Sequence, residues 1–113
     1  MRTPKFRNRR TEVGGLLFDS QAEARRWRIL LLLQEQGQIS ALRRQVSFEL
    51  VRSVRLLGSK RATPPLRYIA DFVYVDAEGR AVVEDVKGVI TAVYRIKRHL
   101  MKAIYNIDIL ETT

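Results

Sequence analysis

The segment from Leu66 to Lys87 constrains the fold of this chain more than any other, because it predicts two adjacent β-strands. Residues 66–75 are rich in aromatic and β-branched side chains, which favour strands. The sequence DAEG at 76–79 has the composition of a tight turn, and 80–87 is a second strand-like run. We expect the rest of the chain to be arranged around this hairpin.

Each of the two strands carries an acid where an apolar residue would pack better. Because strand side chains alternate between faces, Asp71 shares a face with Ile69 and Val73. By the same rule Asp85 shares a face with Lys87. A carboxylate among apolar neighbours costs free energy unless it is paired, hydrogen-bonded or bound to a metal. The two acids and the lysine are therefore predicted to converge on one spot; a surface ion pair at a hairpin rim is the alternative.

The constellation of Asp71 with Asp85-Val86-Lys87 resembles the active site of the PD-(D/E)xK nuclease superfamily. The proline that precedes the first acid in that superfamily is Ala70 here. The segments YIADFVY and VVEDVKG look like a compact phage-encoded group related to Holliday-junction resolvases. The resemblance implies a restriction-endonuclease-like α/β core, a single domain in which a mixed β-sheet is flanked by helices. It also implies a phage or prophage protein that acts in the host cytoplasm.

Composition limits the partners and the metals. A net charge of +9 favours a polyanionic partner, most plausibly nucleic acid, although charge alone does not distinguish DNA, RNA and anionic lipid. The apolar run Ile29–Leu33 is too short to span a membrane. The chain has no cysteine and a single histidine, His99, which excludes cysteine–zinc and two-histidine sites within one chain. Any metal must be held by oxygen ligands, which suits Mg²⁺ or Mn²⁺.

The N-terminal residues 1–12 are basic and are predicted to form a flexible tail, whereas 13–113 form the domain. A first helix is predicted to begin at Ser20 and to run to about Gln36. Its Glu23 heads the mostly apolar stripe that faces the sheet. By resemblance, Glu23 joins the metal site; the alternative is a capping box in which its side chain bonds back to the N–H of Ser20.

Several polar residues are candidates for contact with DNA. Gln45 lies on a predicted strand, 38–52, and matches a glutamine of the related phage group; the alternative is an ordinary exposed strand residue. Lys60 and Arg61 lie in a loop predicted from its composition. A second helix, 91–105, carries an apolar stripe, which comprises Val93, Ile96, Leu100, Ala103 and Ile104. It also carries a basic ridge of Arg95, Arg98 and Lys102, with Lys97 beside it. A solvated face is the alternative for that ridge.

The resemblance implies a Mg²⁺-dependent, structure-specific DNA endonuclease, with Mn²⁺ as a substitute, that cuts branched DNA as a homodimer. Its metal ligands are expected to be Asp71, Asp85, the Val86 carbonyl and Glu23, and Lys87 is expected to position water or to stabilise charge on the phosphate. A non-catalytic nucleic-acid-binding accessory protein and a nicking or repair nuclease of the same fold are the alternatives. Glu84 is assigned a structural role because it points to the opposite face of its strand.

Overall fold

The computed structural model describes residues 10–113 as two β-sheets flanked by two helices. Its elements in chain order are β1 (Thr11–Val13), β2 (Leu16–Phe18), α1 (Gln21–Glu35), β3 (Ser40–Val51), β4 (Leu66–Val75), β5 (Ala81–Val86), α2 (Ala92–Tyr105) and β6 (Leu110–Thr112). The main sheet has the strand order β3-β4-β5-β6, and only the β5–β6 pair is parallel. The predicted α/β fold with a mixed sheet is confirmed.

The central hairpin is formed by β4 and β5, close to the predicted boundaries. The Asp76 side chain accepts hydrogen bonds from the N–H groups of Glu78, at 3.0 Å, and Arg80, at 2.9 Å, and thereby closes the turn. Gly79 has φ +81°, a left-handed conformation that glycine adopts without steric cost. These local interactions set the pairing that places Phe72 opposite Glu84.

The main sheet separates two apolar clusters, one toward each helix. The cluster on the α1 side is built from Phe18, Ala24, Leu30, Ile39, Phe72 and Tyr74. The cluster on the α2 side is built from Leu50, Tyr68, Ala70, Val73, Val83, Tyr94 and Met101. Both faces of β4 and β5 are therefore covered, and a polar side chain on either strand must find a partner in the interior or open into a cleft.

Helix α2 buries a different face from the one predicted. Val93 and Ile96 are 62% and 61% exposed, whereas Tyr94 and Met101 are buried. Thr91 caps the helix by accepting a hydrogen bond from the Tyr94 N–H at 3.1 Å. Tyr94 and Met101 are seven residues apart, so they share one face of the helix, and the bulkier side chains of that face pack against the sheet. The predicted stripe through Val93 and Ile96 is therefore wrong.

Two further segments differ from the predictions. Thr11 and Glu12 belong to β1, which pairs with β2, whereas the sequence suggested a tail up to residue 12; positions 1–9 of that predicted tail lie outside the described residues. A long loop, 52–65, separates β3 from β4. The apolar residues at 54–57 predict either an extension of β3 or the start of its return, but they lie within this loop. Within residues 10–113, neither helix is long and apolar enough to cross a membrane.

Candidate active site

Asp71 of β4 and Asp85 of β5 stand on neighbouring strands and line the same two clefts. One oxygen of Asp71, Oδ2, accepts a hydrogen bond from the Val86 N–H at 2.8 Å. Asp85 Oδ2 accepts a hydrogen bond from the buried Tyr68 hydroxyl at 2.6 Å and lies 3.3 Å from Lys87 Nζ. Each carboxylate is thus fixed through one oxygen, and the three residues predicted to converge lie together.

Glu23, in the first turn of α1, faces the same cavity as the two aspartates. The helix is capped by Ser20, whose Oγ accepts a hydrogen bond from the Glu23 N–H at 3.1 Å. The Glu23 carboxylate is buried and accepts a hydrogen bond from Gln45 Nε2 at 3.1 Å. The main-chain half of the capping pattern is therefore present, while the acidic side chain lies with the other acids.

The β3 and β4 strands keep their register where these acids meet, but the backbone of β3 is unusual there. Regular pairs lie on either side: Arg44 with Phe72, and Val46 with Ala70. Between them, Gln45 has φ +54°, a left-handed conformation that costs a residue with a side chain about 1–2 kcal/mol. On the other strand, Ala70 packs toward α2 and Phe72 toward α1, so the alternation of faces changes at Asp71. Ile69 is 53% exposed, so it provides little of the apolar surroundings expected for Asp71, although both residues line the same cleft.

The acids destabilise one another's charged forms. The pKa of Asp71 is raised to about 8 by burial, by the adjoining Asp85 carboxyl and by the charge of Glu23. The hydrogen bond from the Val86 N–H lowers this pKa, but by less. Burial, together with the charges of Asp19 and Asp85, also raises the pKa of Glu23, against a lowering by Arg44 and Gln45. Such mutual repulsion is relieved either by a shared proton or by a bound cation.

Lys87 is held by contacts on several sides. Its Nζ lies 4.0 Å from the centre of the Tyr94 ring, a cation–π contact, and 3.3 Å from Asp85 Oδ2. Its backbone N–H donates a hydrogen bond to the Thr112 carbonyl at 2.7 Å. The Tyr94 hydroxyl in turn donates a hydrogen bond to Glu111 Oε2 at 2.6 Å. The ammonium group therefore lies beside the Asp85 carboxylate rather than in bulk solvent.

Two clefts meet at these residues. The first has a volume of about 400 Å³, and its lining includes Asp19, Glu23, Asp71, Asp85, Val86 and Lys87. The second, of about 300 Å³, shares Asp71, Asp85 and Lys87 and extends along Arg67, Ile69, Val93 and Lys97. Asp71 and Asp85 thus lie where the first, acidic cleft joins the second cleft, which also carries basic side chains. This arrangement allows a cation and a polyanion to bind next to each other.

The oxygen donors suit Mg²⁺ better than a metal that needs a full set of protein ligands. Among residues 10–113, no group of three or more acidic or histidine side chains is gathered closely enough to form a complete metal-binding group. Mg²⁺ keeps several of its waters and is usually bound through one or two carboxylates together with phosphate oxygens. Asp71 and Asp85 meet that requirement, and the raised pKa of Asp71 in the absence of a cation is in keeping with it.

Glu84 lies on the other face of β5 and is fully buried, in accordance with its predicted structural role. Arg26 donates two hydrogen bonds to its carboxylate, at 2.6 and 2.9 Å. Tyr74 and Thr112 donate further hydrogen bonds to it, at 2.8 and 3.3 Å. Arg26 therefore joins α1 to the sheet, whereas its helical spacing predicts that it covers the solvent side of α1 with Arg25 and Arg28. The buried Glu84 carboxylate, one residue from the site, requires a cationic partner, and the partly buried Arg26 supplies it.

The residues predicted to bind DNA have different surroundings. Lys97 lines the second cleft, while Lys60 and Arg61 are exposed in the 52–65 loop. Arg95 is exposed on α2. The other members of the ridge form ion pairs: Arg98 with Glu111 at 2.7 Å and Lys102 with Asp108 at 2.8 Å. Gln45 contacts Glu23. The predicted ridge is thus partly neutralised within the chain.

Several residues of the site were not identified from the sequence. Tyr68 contacts Asp85 only because the strand changes phase at Asp71, and no local pattern predicts that change. Asp19 and Thr91 line the acidic cleft at the N-terminal ends of the two helices. Their types, typical of helix starts, were the only available signal.

Comparison with known proteins gives one match. A family model described as "Protein of unknown function (DUF1064)" matches residues 3–111. No curated protein and no solved structure matches the chain.

Proposed function

This chain belongs to the DUF1064 family, whose function is unknown, and we propose that it is a Mg²⁺-dependent, structure-specific endonuclease that hydrolyses phosphodiester bonds in branched DNA. The observation that carries the proposal is the meeting of Asp71, Asp85 and Glu23 in one cleft beside the ammonium group of Lys87. The resemblance of these residues to the PD-(D/E)xK nucleases gives the reaction class.

The expected ligands of the ion are Asp71 and Asp85, with Glu23 and the Val86 carbonyl completing the set directly or through water. An ion held by these residues would supply positive charge to offset that on the phosphoryl oxygens and would lower the pKa of a water molecule. The hydrogen bonds from Val86 to Asp71 and from Tyr68 to Asp85 each occupy one carboxylate oxygen. The other oxygen of each carboxylate is the one expected to bind the ion.

Lys87 supplies the chain's own cation to the reaction. Its ammonium group, held by Asp85 and by the face of the Tyr94 ring, donates hydrogen bonds to a phosphoryl oxygen or to the attacking water. A positive group fixed beside the acids stabilises the charge that develops on the phosphate without reorganising during the reaction. Exposed basic side chains, with a net charge of +9, hold the flanking DNA. A symmetric dimer would place two such sites on opposed strands.

Cleavage of labelled DNA tests the proposal directly. The protein is incubated with four-way junction, continuous duplex and single-stranded DNA in Mg²⁺, in Mn²⁺ and in EDTA. Metal-dependent cleavage of the junction is expected, and Asp85→Asn should lose it by at least about 1000-fold while binding DNA as tightly or more tightly, because one phosphate-repelling charge is gone. Glu78→Gln, in the exposed β4–β5 turn, is the control and should cut normally.

Three results would contradict the proposal. Full activity in a folded Asp85→Asn variant would remove the site. Tight binding of branched DNA without cleavage in either metal would favour the non-catalytic accessory protein. Cleavage confined to one strand of the continuous duplex, with the junction left intact, would favour the nicking or repair nuclease.

A further inference from the structure

The loop between β3 and β4, residues 52–65, contains a turn with solvent-exposed apolar side chains. We call this segment the tip loop. Leu57 is 106% exposed, the highest value among the large apolar residues of the described chain. Leu56 is 60% exposed, close to the values of Val93 and Ile96 on α2. Neither leucine belongs to either apolar cluster of the domain. Their exposure therefore contributes nothing to the core and requires another explanation.

The tip loop is held by its own hydrogen bonds. The Ser59 N–H donates to the Leu56 carbonyl at 3.0 Å and closes the turn that presents the leucines. Thr63 ties the two sides together, because its N–H donates to the Val54 carbonyl at 2.7 Å and its Oγ1 accepts from the Val54 N–H at 3.1 Å. Gly58, at φ +78°, supplies the left-handed residue that the turn requires. The leucines are thus displayed by a defined turn.

The charge around the leucines identifies the partner. The tip loop contains four basic residues and no acid: Arg52, Arg55, Lys60 and Arg61. A second copy of the tip loop is a poor occupant, because its own four basic residues would bring like charges together. Cations flanking an apolar projection match the phosphates and base stack of a nucleic acid, where apolar wedges enter between base steps.

We propose that the tip loop is a DNA wedge, in which Leu56 and Leu57 insert between bases at a branch point while the flanking cations hold the adjacent phosphates. The inference rests on the proposed action on DNA and specifies how a branched substrate is distinguished from a continuous duplex. At a branch, stacking is already interrupted, so insertion costs less there than within a regular helix. The wedge thus provides a physical basis for preferring branched DNA.

The test measures unstacking and binding in EDTA, so that it does not depend on cleavage. A four-way junction with 2-aminopurine beside the branch point is titrated with the full-length protein and with a Leu56→Ala/Leu57→Ala variant. The protein should raise the fluorescence and bind the junction more tightly than duplex. The variant should lose the fluorescence rise and about tenfold or more of junction affinity, since two leucines no longer leave water. Its salt dependence should stay unchanged, because no phosphate contact is lost.

An Ile29→Ala/Leu32→Ala variant is the matched control, because it removes two exposed apolar side chains from α1 and should behave as the unaltered protein. Unchanged fluorescence and junction affinity in the Leu56→Ala/Leu57→Ala variant would overturn the wedge. If the leucines were required for self-association instead, a second copy of the chain would replace DNA as the partner. If they were required for binding to anionic lipid vesicles while junction binding stayed normal, a lipid surface would replace it. If the protein unstacked the junction but did not cleave it in Mg²⁺, only the proposed nuclease activity would be contradicted. If it cleaved the junction but unstacking did not depend on the leucines, only the wedge would be contradicted.

Discussion

Replacing Asp71 with asparagine should make the metal-free protein more stable. The side chain is largely enclosed, and its Oδ2 accepts a hydrogen bond from the Val86 N–H that an asparagine oxygen can also accept. What the substitution removes is a carboxyl that must take up a proton on folding, because burial, Asp85 and Glu23 raise the pKa of Asp71 to about 8. The expected effect is opposite in sign to the usual result of changing a buried hydrogen-bonded residue.

The size of the effect follows from linkage. A carboxyl whose pKa is higher in the folded than in the unfolded protein binds more protons when folded, so the stability of the metal-free protein falls as pH rises from about 4 to about 8. Each pKa unit is worth about 1.4 kcal/mol, which gives a cost of roughly 2–4 kcal/mol at pH 7. For a domain of this size, removing that cost should raise the Tm in EDTA by at least about 8 °C.

Thermal unfolding in EDTA and in Mg²⁺, at pH 5 and pH 7, measures this. At a Mg²⁺ concentration ten times its Kd the unaltered protein should gain about 1.4 kcal/mol, whereas Asp71→Asn should gain little. The difference in Tm between the two proteins should shrink at pH 5, where the unaltered Asp71 is protonated. Glu78→Gln controls for the loss of one negative charge at an exposed position. An Asp71→Asn variant that melts at or below the unaltered protein in EDTA would refute the electrostatic argument.

Three further predictions concern the surroundings of the site. Tyr94→Leu should lower kcat by about tenfold or more with little change in DNA affinity, while Tyr94→Phe, which keeps the ring beneath the ammonium group, should retain most cleavage; equal losses would contradict this. Glu84→Gln should lower the unfolding free energy by about 3–5 kcal/mol, as it breaks the buried pair with Arg26, yet the folded fraction should cleave normally. Lys97→Ala should reduce the salt slope of DNA binding by about 0.9, and Arg98→Ala should reduce it less because that side chain is paired within the chain; the reverse order would place the phosphate contact on the ridge.

The sequence predicted the elements of this protein better than their detailed contacts. The β4–β5 hairpin was recognisable because aromatic and β-branched runs flank a turn whose Asp76 and Gly79 make local interactions. Residues two apart on one strand have a fixed relation, and Asp85 and Lys87 therefore lie together as expected. Helix α1 was recognisable from its Ser20 cap for the same reason, since the signal lies within a few residues.

What could not be predicted depends on contacts between distant segments. The change of phase at Asp71 accompanies a left-handed Gln45 on the neighbouring strand, and no pattern in β4 alone indicates it. The buried face of α2 is decided partly by the bond from Tyr94 to Glu111, a residue of the last strand. Arg26 had the spacing of an exposed residue, but the need to neutralise Glu84 drew it to the sheet.

The parallel pairing of β5 with β6 has a consequence for the order of folding. The β4–β5 hairpin joins residues close in sequence and can form early, whereas a parallel neighbour requires a long crossover, here through α2. The two aspartates of the site therefore come together in a local unit that forms fast. The backbone of Lys87 is fixed by Thr112 only after the crossover is complete. Fraying of the short β6 consequently releases the lysine while the two aspartates stay in register, so that local opening of this edge removes the ammonium from a site whose carboxylates remain assembled.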